Sequence, residues 1–331
     1  MLVAIGIVVG LSAGFVIVLR QPASPLWSSE SSGRLAAAHP TEQPSTRPPE
    51  ADPSARDASA RVDAILDRVS TLRRDGKLAE VIAVLQAAIA ENVGIQRLHV
   101  ALAEAMLESG RPNDAYEQYV QALASGERTP ALEFQSGTVA SSIGRNDRAM
   151  EHFAAAQAQD QSNPEYPLFL GQTALLMGKV SEARAALARS LRLKDDDARA
   201  WGALAEVSLR ENALDSALQQ VRRARQLDPR GTVYRFIEAR VHVRANRPAE
   251  AAELLLPLDA PEREAEPIAR LLADALTMTG RGDEAARVLA ASSDRQPNNA
   301  ALARDALVRA ERAGLNELVE RLRVRTETGN P

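Results

Sequence analysis

The chain has 331 residues and is 45% hydrophobic but only 3% aromatic, which favours a core of small, closely packed side chains. Its formal net charge of −4 argues against a nucleic-acid partner, because such a partner requires a basic face. The absence of cysteine excludes disulfides, thiolate nucleophiles and cysteine-ligated zinc.

The first segment of the chain is apolar. Residues 1–19 contain no charged side chain, and a helix of this length spans about 28 Å, close to the hydrocarbon thickness of a bilayer. The sequence therefore predicts a single-pass transmembrane anchor helix over residues 1–20. A cleaved secretory signal is the alternative, but no Lys or Arg precedes the apolar run, as a signal peptide would require.

Three glycines within this segment lie four residues apart: Gly6, Gly10 and Gly14. On a helix they share one face, and this spacing of small residues permits close crossing of two membrane helices and hence a homodimer. Glycine is also common in membrane helices that do not dimerise. Both interpretations stay open.

Residues 21–58 are rich in Pro, Ser, Ala and Thr and show no core-forming pattern. They are predicted to be a disordered linker between the anchor and a repeat domain over residues 59–331. Arg20 alone favours a cytoplasmic location for the linker and the repeat domain, but nothing in the linker resists translocation. We expect the repeat domain on the periplasmic or extracytoplasmic side, while the cytoplasmic side stays open.

A single feature then recurs every 34 residues. Each member is Gly or Asn, the residues that most readily adopt the left-handed conformation that ends a helix. Five residues after each member comes a small or β-branched residue, and four residues later an apolar one, with Arg323 as the exception in the last unit. These offsets place both positions on one face of a second helix. The recurring residues are Gly76, Gly110, Gly144, Gly178, Asn212, Asn246, Gly280 and Gly314.

Helix boundaries can be predicted within this repeat. Thr129-Pro130 and Asn163-Pro164 combine a capping side chain with a proline at the first helical position. Pro257 should end the second helix of the sixth unit early. Candidate caps for the second helices lie three residues after the turn, at Asn113, Asp147, Ser181, Asp215 and Asp283.

The pattern resembles the tetratricopeptide repeat family. The resemblance covers about residues 62 to 326, and the unit 198–231 is the closest match, with Trp201, Leu204, Ala205, Ala217, Ala224 and Pro229 at the family's spacings. In other units the position equivalent to Trp201 is occupied by different residues, which is a departure from the family pattern. The resemblance implies an all-α fold, an α-solenoid of about eight helix-turn-helix repeats in a right-handed superhelix. It also implies a concave binding face lined by the first helix of each hairpin.

Two columns of residues spaced by one repeat are predicted to line that face. The first is mainly apolar and the second mainly polar, a combination that suits an extended peptide or helix. The alternative is that the apolar members pack against the neighbouring hairpin as core. The candidate protein-binding residues are Phe134, Leu168, Gln172, Glu206, Phe236, Arg240, Arg270 and Asp274.

The sequence offers no chemistry for catalysis. The four histidines lack a partner at metal-binding spacing and are interpreted as isolated packed or surface residues. No phosphate loop, nucleophile elbow or carboxylate pair is recognisable. We therefore predict a non-enzymatic scaffold without cofactor or metal, membrane-tethered and recruiting proteins or peptides, with envelope assembly or secretion as the expected process. A soluble periplasmic binding protein and a non-catalytic subunit of an envelope enzyme complex are the alternatives.

Overall fold

A computed structural model of the chain describes residues 7–11, 15–19, 53–91 and 95–327. The first two ranges are strands, β1 (Ile7–Leu11) and β2 (Phe15–Leu19), which pair in a two-stranded sheet. The prediction of one continuous helix over residues 1–20 is therefore wrong for these segments. Both are dominated by β-branched and aromatic residues, which favour strands, and glycine weakens a helix by about 1 kcal/mol.

This result also bears on the predicted helix contact. Gly10 lies within β1, so its spacing from the other two glycines does not define a helical face there. Gly6 and Gly14 lie outside the described residues, as does most of the linker predicted over residues 21–58. Among the residues that the structure describes, none of the helices is both long and apolar enough to cross a membrane.

From residue 53 onward the described chain forms eight helical hairpins. The first four pair α1 (Pro53–Arg74) with α2 (Leu78–Ala90), α3 (Ile95–Glu108) with α4 (Pro112–Ser125), α5 (Pro130–Ser142) with α6 (Asn146–Gln159), and α7 (Glu165–Leu176) with α8 (Val180–Leu193). The last four pair α9 (Ala198–Arg210) with α10 (Leu214–Leu227), α11 (Thr232–Arg244) with α12 (Pro248–Leu255), α14 (Glu266–Met278) with α15 (Gly282–Arg295), and α16 (Ala300–Arg312) with α17 (Asn316–Glu327). A single helical turn, α13 (Ala260–Arg263), lies between the sixth and seventh hairpins. The predicted all-α hairpin fold is thus confirmed for the repeat domain, which begins six residues earlier than expected, at Pro53.

The predicted turn residues are confirmed at all eight positions. Each has a positive φ, from 56° at Asn246 to 78° at Gly280. At Gly178, for example, the following residue, Lys179, donates its backbone N–H to the carbonyl of Ala174 at 2.9 Å, which closes the end of α7. The same reversal thus ends the first helix of every hairpin.

Predictions of the helix ends were correct in part. The Thr129 hydroxyl accepts from the Leu132 N–H at 3.3 Å, and α5 begins at Pro130 as expected. The caps predicted for the second helices were wrong. Asp215 lies inside α10, whose N-cap is Ala213 and which has no side-chain cap. The helix starts directly after the turn, so the acidic residues lie in its first turn and favour the helix dipole instead.

Pro257 has the predicted effect. The second helix of the sixth hairpin, α12, ends at Leu255 and has 8 residues, whereas α10 in the preceding hairpin has 14. A proline cannot donate to the carbonyl four residues earlier and its ring clashes with the preceding turn, so the helix stops. The chain then passes through α13 before α14 begins.

The predicted packing columns form the core. Ala115, Ala149, Ala183, Ala217, Ala251 and Ala285 are fully buried on the second helices. Close approach of helices is also visible in hairpin 4, where a Cβ added at Gly171 would lie 2.7 Å from Leu187 Cγ. The repeat region divides into two compact units, with the boundary inside α6 between His152 and Phe153. Each unit is a stack of such hairpins, an α-solenoid.

Two glycines at the turn of the seventh hairpin allow the effect of backbone strain on stability to be measured apart from the effect of packing. Gly280 has a φ of 78°, Gly282 begins α15 without a positive φ, and a Cβ at either would meet nothing within 4 Å. Gly280→Ala should lower the free energy of unfolding by about 1 kcal/mol, because an L residue is strained in the left-handed region. The matched control Gly282→Ala should raise it by about 0.5 kcal/mol. Urea unfolding followed by circular dichroism measures both, and equal effects would contradict the assignment of the turn.

Candidate protein-binding face

The predicted groove residues of the second unit lie on α7, α9, α11 and α14. We call the surface on which they lie, continued onto α16, the first-helix face. Helix α7 contacts α9, α9 contacts α11, and α11 contacts α14, so residues one repeat apart on these helices become neighbours.

Glu206 and Arg240 are brought together at this face. The Glu206 carboxylate is almost fully buried and forms an ion pair with the Arg240 guanidinium from the next hairpin. Arg240 also lies over the Phe236 ring, 5.7 Å from its centroid. Burial raises the pKa of the Glu206 carboxyl, while the charges of Arg240 and Arg210 oppose this shift. Phe236 is itself only 9% exposed, so these residues join hairpins 5 and 6 more than they offer a binding surface.

Arg270 and Asp274 also bind the next hairpin. Arg270 donates to Asp305 at 2.8 Å and to Glu266 on its own helix at 2.9 Å. Asp274 accepts from Arg309 at 2.6 Å, and Arg309 donates to Asp305 at 3.1 Å. This network of alternating charges fixes α16 against α14.

The remaining predicted groove residues differ in burial. Leu168 is fully buried and belongs to the core, as the alternative interpretation proposed. Gln172 is partly exposed, and its Oε1 is buried without a hydrogen-bond partner among the described residues. Phe134, in the first unit, is partly exposed. Of these three, only Phe134 and Gln172 present side-chain surface to solvent.

Ion pairs between residues 34 apart were not predicted. Asp63 accepts from Arg97 at 2.8 Å in the first unit. In the second unit Arg199 donates to both carboxylate oxygens of Glu165, at 2.5 and 3.1 Å. Opposite charges one repeat apart are visible in the sequence, so these ion pairs could have been predicted from it.

Other residues remain exposed at the end of the first-helix face. Met278 on α14 is 49% exposed and Val308 on α16 is 42% exposed. Both line a cleft of about 580 Å³, together with Val243 and Ala313. The cleft wall also carries polar residues, among them Asp274, Thr277, Asp305, Arg309 and Arg312. We call this feature the 278/308 cleft.

Two histidines have carboxylate partners, contrary to their interpretation as isolated. His152 Nδ1 lies 2.7 Å from an oxygen of Glu133, a fully buried carboxylate that also accepts from Arg128 at 2.8 Å. His242 Nε2 lies 3.8 Å from Glu238, and burial lowers the pKa of His242 while the charge of Glu238 opposes that shift. Each of these pairs lies within one hairpin, and its side chains are buried in the fold. In the described part of the chain, no three His, Asp or Glu residues are grouped to hold a metal ion.

Comparisons with known proteins agree with this fold. Residues 144–207 match the family model of the tetratricopeptide repeat. No curated protein matches the chain in sequence. A solved tetratricopeptide repeat protein from Parabacteroides merdae superposes with a TM-score of 0.58 at 13% identity, covering 70% of this chain and 92% of that one. PilF of Pseudomonas aeruginosa gives 0.52 at 21% identity, covering 67% and 99%.

A third similar structure is the C-terminal part of a repeat-containing protein from Cytophaga hutchinsonii, with a TM-score of 0.53 at 14% identity, covering 69% of this chain and 94% of that one. At such identities the likeness concerns the fold. Together with the matched segment and the 34-residue register, it shows that this chain has the fold of tetratricopeptide repeat proteins.

The buried carboxylate of Glu206 gives a pH-dependent test. Because folding raises its pKa, the stability it contributes is fully present below the unfolded pKa of about 4.3 and is lost as the pH rises through the folded value. Glu206→Gln removes this loss. The free energy of unfolding of the variant, relative to the parent chain, should therefore increase between about pH 4 and about pH 7.

Glu284→Gln is the matched control of opposite sign. The hydrogen bond from Arg281 lowers the pKa of the Glu284 carboxyl, so its contribution is present above the unfolded pKa and lost in acid. The relative stability of this variant should fall over the same pH range. A parallel trend in both variants, measured by urea unfolding at each pH, would contradict the burial argument.

Proposed function

We propose that this chain is a non-enzymatic scaffold that binds protein partners at the 278/308 cleft. The exposed pair Met278 and Val308 carries this proposal. Large apolar side chains that remain exposed side by side and are rimmed by polar groups are typical of protein interaction sites. The family resemblance supports the same side of the molecule, because it implies partner binding along the first helices.

The charged residues around the cleft fit this role better than a catalytic one. Asp274 and Asp305 are held by Arg309, which also donates to the Thr277 hydroxyl at 2.7 Å. Their positions are fixed by these bonds before any partner arrives. A preorganised polar rim lowers the entropic cost of binding and orients the partner.

The cellular location stays a prediction from the sequence. The uncharged, apolar run of residues 1–19 favours attachment to a membrane. We propose that the repeat domain lies on the periplasmic or extracytoplasmic side, because nothing in residues 21–58 resists translocation. Alkaline carbonate extraction of the full-length chain decides this point, since release into the soluble fraction would exclude an embedded anchor.

Site-directed photocrosslinking tests the binding role. A photoreactive phenylalanine analogue replaces Met278 in the full-length chain, and the matched control carries it at Arg223, an exposed position on α10. We expect a discrete crosslinked partner from native extract at position 278 and none at position 223. The same crosslinks at both positions, or none at position 278, would contradict the proposal.

A further inference from the structure

In the second unit, polar side chains of two first helices pair with residues of the hairpin that follows. Glu206 pairs with Arg240 of the next hairpin, and Arg270 and Asp274 pair with Asp305 and Arg309. We call the side of each first helix that makes these contacts its forward side. In hairpins 5 and 7 the polar groups on the forward side are thus bound to the following hairpin.

The first helix of the eighth hairpin, α16, makes no such contact among the described residues. The residues of α16 one repeat after Arg270 and Asp274 are Arg304 and Val308, and Arg312 follows one turn later. All three are exposed. Within residues 53–91 and 95–327, neither Arg304 nor Arg312 forms a hydrogen bond or an ion pair. The forward side of α16 therefore presents two unpaired guanidinium groups on either side of an exposed valine.

The second helix of the eighth hairpin, α17, carries a charged residue at a position that is apolar and buried in hairpin 5. In hairpin 5 the corresponding residue is Val221, which is fully buried in a cluster with Tyr234 and Ile237 of the next hairpin. In hairpin 8 this position is Arg323, which donates to Glu311 at 2.8 Å and lies 3.5 Å from Glu320. A further stacked hairpin, including one from a second copy of the chain, would bury these charges at considerable cost.

The occupant must therefore be narrower than a helical hairpin and lie along α16 without covering α17. Resting on the proposed binding function, we propose that the forward side of α16 binds an extended acidic segment of a partner protein. This segment carries two carboxylates that flank one bulky apolar side chain. The carboxylates pair with Arg304 and Arg312, and the apolar side chain enters the 278/308 cleft beside Val308.

The spacing of α16 selects the sequence pattern of this segment. Arg312 follows Arg304 by eight positions on the helix, a rise of about 12 Å along the axis, with Val308 midway. In an extended strand, residues four apart are separated by about 13 Å, and the residue between them points to the same side. The matching pattern is acidic-x-apolar-x-acidic. Guanidinium groups suit it because they bind carboxylates with two parallel hydrogen bonds.

Three fluorescent peptides test the pattern on the full-length chain by anisotropy. The first is Ser-Gly-Glu-Ser-Leu-Ser-Glu-Gly-Ser. The second has the same composition with the two glutamates adjacent, and the third has lysine in place of glutamate. We expect the first to bind at least about tenfold more tightly than the other two, and its binding to weaken as salt is added.

Variants of exposed residues locate the binding. Arg304→Gln/Arg312→Gln should weaken the first peptide about tenfold or more, and Val308→Ser should weaken it severalfold. The matched control Arg223→Gln/Arg230→Gln removes the same charge from exposed positions elsewhere and should leave binding unchanged. Circular dichroism confirms that each variant keeps its helical content.

The outcomes separate this inference from the proposed function. Equal affinity for the three peptides, or equal losses in the test and control variants, would overturn the acidic-segment proposal. If that happens while crosslinking at position 278 still captures a partner, the binding function stands with a different ligand. If crosslinking fails as well, both proposals fall.

Discussion

A residue in the left-handed conformation ends the first helix of every hairpin, and the remaining structure depends on this reversal. Because the reversal recurs every 34 residues, equivalent side chains of consecutive hairpins lie next to each other within a unit. Small residues such as Ala217 and Gly171 then let the helices approach closely. Each hairpin buries its apolar face only against its neighbours, as is typical of repeat architectures.

The same register decides what the polar residues of the first helices do. Acidic and basic residues one repeat apart face each other and form ion pairs between hairpins. Residues paired in this way are less available to a binding partner. Glu165 with Arg199 and Glu206 with Arg240 illustrate this in the second unit. The charges of the mainly polar column predicted from the sequence are therefore largely neutralised by their own pairing. Charges become available to a partner where this pairing is absent among the described residues, as for Arg304 and Arg312 on α16.

Much of this fold could be predicted from the sequence, because a backbone reversal and a packing column each leave a residue type at a fixed interval. The early end of α12 before Pro257 followed from proline chemistry alone. The candidate site was harder. Periodicity gives the spacing of residues such as Leu168 and Phe236 but not the rotation of each helix against its neighbours, so their burial was not determined. Ion pairs 34 residues apart could have been predicted, whereas the exposure of Met278 depends on three-dimensional packing. At the N-terminus, apolar length favoured a helix, but the β-branched residues of β1 and β2 favour strands.

The central claim is that the repeat register turns the polar residues of the first helices into contacts between hairpins. A double-mutant cycle on Glu206 and Arg240 tests it most directly, with Glu206→Leu, Arg240→Leu and the double variant compared in urea unfolding. The account predicts a coupling energy of about 1–3 kcal/mol, because each single variant leaves a charge without its partner. Single effects that add to the double effect within about 0.5 kcal/mol would contradict it.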